Sequence, residues 1–409
     1  MDLALDQFVE DARSVSISAA AMQLGLRFTR HGYEHPQPCP TCGGIDTFAF
    51  NTSKQKWNCR TGGAGGNDAI GMAAHCFGLD VHRRDGFLEA CSIVLARPVP
   101  HHAGSSAVGT ALLERIEQRR QRNRAEAGAK AERQTGFRER ERAKAIAIYG
   151  AAAPVGRFGR PVADYLEARG CGRIGASRWL RCVSALPYWH GQGDDGRPRE
   201  LHRGPAMVAP FVGPDLLAIG CHITWLDLTR PPKYRPRLVD PLTGDVLPTK
   251  KMRGSKKGGL VPLFGEPRAS RWVGGEGIEN SAAFAAWEGW RADTFYFAAG
   301  DLGNLAGPAE ASSRFAHPTL RKLDSKGVAR PIMVAGPLPQ ADRDRDDAMW
   351  VAGHVSELVL LADGDSERVM TAAAMARARA RHAWAGRLIP IVWPRAGYDF
   401  AGMAAGARA

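Results

Sequence analysis

No stretch of this 409-residue sequence approaches the roughly 20 consecutive apolar residues that a membrane-spanning helix needs. The opening residues, MDLALDQFVEDAR, are acidic and lack the basic start and apolar core of a secretory signal. The expectation is a cytoplasmic protein with no membrane partner. A Gly-x4-Gly-Lys-Ser/Thr phosphate loop is also missing, so a helicase motor driven through such a loop would have to be a separate chain. No internal repeat is visible. The eight cysteines do not form a disulfide framework: Cys39, Cys42 and Cys59 cluster, and the rest are scattered, as reduced thiols would be. Acidic residues are in short supply, 42 against 55 Lys and Arg, giving a net charge of +13 and a preference for polyanionic partners such as nucleic acid.

What is present divides along the chain. A helix is expected over Leu3 to Arg13, then a Cys-rich segment, then a helix near Asn67 to Phe77. RPVPHHAGSSAVG (Arg97 to Gly109) reads as a linker. Leu112 to Tyr149 is helix-forming and charged, with eleven Lys/Arg against six Glu between Glu114 and Lys144, as in a solvated connector or a nucleic-acid-binding arm. Ala163 to Gly170 reads as a short helix with a glycine cap, and Pro205 to Val212 and Leu216 to Leu226 as strands. From Trp272 strands and helices alternate. Strands are expected at Trp272 to Gly275, Thr294 to Ala298, Leu358 to Ala362 and Arg387 to Trp393. Helices are expected at Ser281 to Trp290 and Glu367 to His382. Such alternation implies a parallel sheet flanked by helices.

Open α/β sheets bind ligands beyond the carboxyl ends of their strands. Glu276 follows the first of these strands, Asp363 and Asp365 follow LLA at the end of the third, and Asp399 closes PRAGYDF after the last. Two carboxylates ~4 Å apart repel by about 4 kcal/mol at an effective dielectric near 20. Asp363-Gly364-Asp365 is therefore either a solvated turn or half of a site for Mg²⁺ or Mn²⁺, which take oxygen ligands. Between Lys250 and Lys257 the segment KKMRGSKK offers Lys250, Lys251, Arg253, Lys256 and Lys257 as flexible cations for phosphates, with Arg169 and Arg203 as further candidates. A solvated charged loop is the alternative. His222, on an apolar strand, reads as a core histidine.

Glu276-Gly277-Ile278-Glu279 before a helix, followed by LLADGD, resembles a Toprim domain, the metal-binding fold of bacterial-type primases, type IA and II topoisomerases and some nucleases. AAGDLGNLAG (Ala298 to Gly307), LVLLADGDS and PRAGYDF resemble Toprim primase-like proteins of phages, prophages and mobile elements. The resemblance implies a catalytic role for Glu276, and Mg²⁺ held by Asp363 and Asp365 together with Glu276 and Asp399. The closing motif usually reads Asp-Phe-Asn-Asp; here Gly402 stands in place of its last acid.

Cys39-x2-Cys42, sixteen residues and then Cys59 is a zinc-ligand spacing. The segment resembles the primase zinc ribbon, a module that engages single-stranded template. That ribbon has a fourth ligand where this chain has Gly62. His31, His35 and Cys76 are candidate replacements, and His35 is nearest in sequence. The alternative is a metal-free ribbon held by Phe48, Phe50 and Trp57. Exposed aromatics beside basic side chains would stack on unpaired bases.

The expected architecture is a multidomain α/β chain. A zinc-ribbon-like module (1–96) leads through a linker and charged helix (97–140) to a basic α+β core subdomain (141–267) and a Toprim domain (268–409). By resemblance the activity is DNA primase: synthesis of RNA primers from ribonucleoside triphosphates on single-stranded DNA. A Toprim nuclease and a decayed single-strand-binding accessory protein are the alternatives.

Overall fold

Residues 3–29, 32–100, 105–172, 177–324, 327–341, 343–344 and 346–406 are described by a computed structural model. His31 lies outside them. The chain divides into two compact units, 1–135 and 136–409.

The first unit begins with helices α1 (Leu3–Ser14) and α2 (Ile17–Gln23), the second capped by the Ser16 hydroxyl on Ala19 N–H. An antiparallel meander follows: β1 (Glu34–Cys39), β2 (Gly43–Asn51), β3 (Lys56–Cys59) and β4 (Ala64–Gly66). The β1–β2 turn is the Cys39–Cys42 knuckle itself, since Cys39 pairs with Gly43. Helices α3 (Ala69–Phe77), capped by Asp68, and α4 (Arg84–Leu95) close the module. Phe48, Phe50 and Trp57 alternate inward on β2 and β3 and are buried with Ile17, Leu24, Met72 and Ile93. They are core residues and so are not platforms for bases; among the described residues of this unit, Phe28 and Tyr33 are the exposed large aromatic side chains.

Helix α5 (Ser105–Ala151) runs longer than expected and begins inside the segment read as linker. In the second unit, β5 (Ala153–Pro154), α6 (Val155–Phe158) and α7 (Arg160–Ala168) precede the long hairpin of β6 (Arg181–Gln192) and β7 (Pro198–Val212), then β8 (Ala218–Trp225). A minor hairpin, β9 (Leu238–Val239) with β10 (Val246–Leu247), leads to β11 (Lys250–Gly254). Sheet order is β11-β8-β7-β6-β5, antiparallel throughout. The Lys250 segment, expected as a flexible cationic stretch, is thus an edge strand whose Lys250↔Thr224 to Gly254↔Gly220 register is fixed by β8.

The remaining elements are β12 (Val261–Phe264), β13 (Arg271–Gly275), α8 (Ile278–Trp287), β14 (Thr294–Ala298), α9 (Leu302–Ala306), the hairpin β15 (Phe315–Leu323) with β16 (Ala329–Val334), β17 (Glu357–Leu361), α10 (Arg368–His382), β18 (Ile391–Val392) and α11 (Phe400–Gly406). The second sheet runs β12-β14-β13-β17-β18; only β12 is antiparallel. Its central strands TFYFA and LVLL are buried on both faces, as a parallel sheet covered by helices requires. β12 precedes the expected boundary at 267 yet belongs to this sheet, and one core joins Met207 and Phe211 of the first sheet to Val273, Tyr296 and Val359 of the second. The strand expected over Arg387 to Trp393 keeps ladder pairing only at Ile391 and Val392. Its carbonyls at 388, 390 and 392 still accept from β17, but Pro390 and Pro394 have no N–H to return. Helix α8 begins three residues earlier than expected, directly after Gly277.

Candidate functional site

A cluster of possible metal ligands in the first unit and a looser group of carboxylates in the second correspond to the expectations. In the first unit the Sγ atoms of Cys39, Cys42 and Cys59 and a nitrogen of His75 lie within 4.8 Å of one another. His75 Nε2 is 3.3 Å from Cys39 Sγ and 3.9 Å from Cys42 Sγ. Amide N–H groups of Cys42 and Gly62 donate to Cys39 and Cys59 Sγ at 3.3 Å, an arrangement that suits thiolates. Burial holds the His75 pKa below its usual value, which favours the neutral imidazole, the form that ligates metal. Three thiolates and an imidazole make a closed tetrahedral donor set for zinc.

His75 on α3, and not the expected His35, is the histidine that the structure brings to the three thiols as a candidate fourth donor. The His35 Nδ1 accepts from the Thr29 N–H at 3.0 Å, and its ring packs against Phe28 and Phe50 inside the module. Gly62 explains the exchange. A Cβ there would lie 2.9 Å from His75 Cε1 and 3.0 Å from Cys42 Sγ, so the histidine ring fills the space a fourth cysteine would use. His75 packs against both Trp57 (5.3 Å between ring centroids) and Phe48 (6.2 Å), and the Thr41 hydroxyl donates to its carbonyl. Cys76 is turned into the core. The available signal was a histidine sixteen residues beyond Cys59, on a helix instead of in a second knuckle.

In the second unit Glu276 follows β13, and Asp363 and Asp365 follow β17, its direct parallel neighbour. Burial raises the pKa of Glu276; nearby Lys250 lowers it, Asp365 raises it and Lys256 lowers it. Asp363 is pushed up to about 7 by burial, by Asp365 and by the charge of Glu276. Its Oδ1 is buried with no hydrogen-bond partner among the described residues. Such an orphaned carboxylate oxygen fits a divalent cation. The three acids are held near one another but are not drawn together within 4.8 Å as the Cys–His group is. Asp399 is engaged elsewhere. Its Oδ1 accepts from Gly402 N–H at the start of α11, and its Oδ2 is 4.0 Å from Arg169. Gly402, where an acid was expected, supplies that amide.

Asn280, which no sequence motif singled out, joins these loops. Its amide donates to Ala362 O at 3.4 Å and its oxygen accepts from Phe400 N–H at 2.7 Å. Glu279 carried no signal of its own either. It is fully buried and takes Arg235 at 2.8 Å, Lys250 at 3.0 Å and the Tyr165 hydroxyl at 2.7 Å. Burial alone would raise its pKa, but Lys250 and Arg235 hold it well below the usual carboxylate range.

The expected phosphate binders are mostly engaged with protein. Lys250 pairs with Glu279, Lys256 with Asp301 and Arg253 with Glu141. Lys251 donates to Trp189 O and lies over the Tyr188 ring. Arg203 forks onto Glu200, and Arg169 donates to Pro232 O. Lys257 is exposed and forms no ion pair with a described residue. Asp301 also caps α9, while Asn304 bonds Gly258 N–H, Gly259 O and Ala299 O. The AAGDLGNLAG stretch thus fastens the Lys256–Gly259 turn beside the sheet. His222, read as a core histidine, is half-buried beside Lys250, Glu279, Arg235 and Lys256, and burial and Lys250 lower its pKa to about 4.

Residues 139–263 match a domain of unknown function (DUF7146). No curated protein matches the chain. Among solved structures, the zinc-binding and RNA polymerase domains of the Aquifex aeolicus primase align over 98% of this chain and 81% of that one, at 15% identity and a TM-score of 0.32. A DNA primase domain from Pseudomonas aeruginosa aligns over 65% of this chain and 74% of that one, at 13% identity and a TM-score of 0.37. Both likenesses are remote. No described helix is long and apolar enough to cross a membrane.

Proposed function

We propose that the chain is a primase of Toprim type that extends RNA on single-stranded DNA by metal-dependent nucleotidyl transfer. The observation that carries this reading is the placement of Glu276 and the Asp363–Asp365 pair at the carboxyl ends of adjacent parallel strands, with the Asp363 Oδ1 buried and unsatisfied. The motif resemblance and the Cys–His cluster agree with it.

Glu276, Asp363 and Asp365 would hold Mg²⁺ or Mn²⁺. Bound there, the cation would neutralise charge on the transferring phosphoryl group. Burial and Asp365 raise the Glu276 pKa, which equips it to accept the proton of an attacking 3′-hydroxyl. Lys257, on the turn fastened by Asn304, would meet the triphosphate or template phosphates. Asp399 acts by capping α11 and meeting Arg169, outside the metal set. The zinc site would hold the first unit in the shape that engages template. The substrates are ribonucleoside triphosphates, the setting is phage, prophage or mobile-element replication, and the partner is a separate replicative helicase.

The test is primer synthesis on single-stranded DNA with labelled ribonucleotides and Mg²⁺. Short RNA products from wild type that vanish with Asp363→Ala support the reading. Loss of the input strand, with no product, replaces polymerase by nuclease.

A further inference from the structure

We propose that the turn Arg395–Tyr398, together with Arg368 and Trp393, is the seat for an unpaired base of single-stranded nucleic acid beside the acidic site. The inference deepens the polymerase reading and rests on it for the location of the chemistry.

Four observations converge. First, the turn is rigid. Tyr398 N–H donates to Arg395 O at 3.0 Å, and Gly397 takes φ +82° at the third position, as a tight turn with a left-handed residue requires. Second, it is fastened to the acidic loop. Gly397 N–H donates to Gly364 O at 3.2 Å, and a Cβ on Gly364 would lie 2.3 Å from Tyr398 O. On its other side the Arg395 N–H meets Met403 Sδ at 3.3 Å. Third, each aromatic carries a guanidinium: Arg395 over Tyr398 at 5.6 Å and Arg368 over Trp393 at 5.2 Å. Neither arginine has an ion pair with a described carboxylate, and both are exposed. Fourth, the ring stays open to a ligand, with Tyr398 46% exposed. An exposed phenol ring beside a guanidinium offers a surface that suits any base, and the two positive charges offset the repulsion of a phosphate backbone by Glu276, Asp363 and Asp365. A duplex keeps its bases inside the stack and offers nothing to this surface.

The experiment is fluorescence anisotropy of labelled oligo-dT, oligo-U and a duplex of equal length, in EDTA and without nucleotides, so that binding is read whether or not the protein makes primers. Tyr398→Ala is expected to bind single strands about tenfold more weakly, and Tyr398→Phe within about twofold of wild type. Arg395→Ala and Arg368→Ala each flatten the slope of log affinity against log salt by about 0.7. Trp287→Ala, which removes another exposed ring, leaves affinity unchanged. Tighter binding of dT identifies a DNA template strand, and tighter binding of U identifies the RNA product. Wild-type affinity in a Tyr398→Ala protein of unchanged melting temperature overturns the proposal, as does equal binding of duplex, or no binding by wild type. Absence of primer synthesis with the Tyr398 effect intact removes the polymerase reading and leaves the seat.

Discussion

The Cys–His cluster and the carboxylate cluster are built on opposite plans. Cys39, Cys42, Cys59 and His75 converge on one point, roofed by Phe48 and Trp57, with every donor of a tetrahedral set supplied by protein. Glu276, Asp363 and Asp365 stand at two strand ends, partly open to solvent, and leave an oxygen orphaned. A closed site serves folding; an open one keeps coordination positions for substrate. On the proposed reading, the difference teaches that charge is left unsatisfied where the chemistry would be done. Glu279 is the internal control for that idea: it is a carboxylate three residues from Glu276 but fully buried and fully paired.

The comparison breaks most visibly at the zinc site. Metal in such sites contributes on the order of 10 kcal/mol to folding, so His75→Ala is expected to lose zinc through gel filtration, expose the three thiols to a thiol reagent and unfold the first unit. His35→Ala should keep its zinc. Adding Gly62→Cys to His75→Ala should restore metal content, because the new side chain occupies the vacated space.

Next in size is Glu279→Gln, expected to cost about 3–5 kcal/mol in denaturant unfolding because Arg235 and Lys250 lose their counter-charge. The pH dependence follows in sign. Glu279 titrates lower when folded than unfolded, so its contribution is present above its unfolded pKa and is lost as pH falls through the folded value. Wild type should therefore lose more stability in acid than the variant.

Gly364→Ala sharpens the comparison from the open side. The added methyl meets Tyr398 O, and overpacking of this kind costs about 1–3 kcal/mol. Thermal unfolding should register that loss, and the turn should move off the acidic loop with a fall in primer synthesis.

The smallest effect concerns free and engaged cations. Lys257→Ala should reduce the salt slope of single-strand binding by about 0.7, whereas Arg203→Ala, already forked onto Glu200, should leave it unchanged. Equal slopes for the two would erase the distinction between paired and unpaired charge.

The four parallel strands and the two longer helices from Trp272 onward, the strand-end position of Glu276 and Asp363, and three of the four members of the Cys–His cluster were legible along the chain, while α9, α11 and the β15–β16 hairpin were not. Each depends on local rules: apolar runs, strand-to-loop transitions and short Cys spacing. The meaning of Asp-Gly-Asp was half legible, since the charges were visible but the backbone of Tyr398 crowding Gly364 was not. His75, Asn280, Glu279 and Arg235 came only from the tertiary structure. A ligand arriving from a helix, an amide tying three loops and a buried ion pair across 44 residues have no local signature. Sequence also overstated the free cations, because it counts lysines and arginines but does not show which carboxylate folding brings to each. Composition settled that the protein is basic; packing decided which of those charges remain for a ligand.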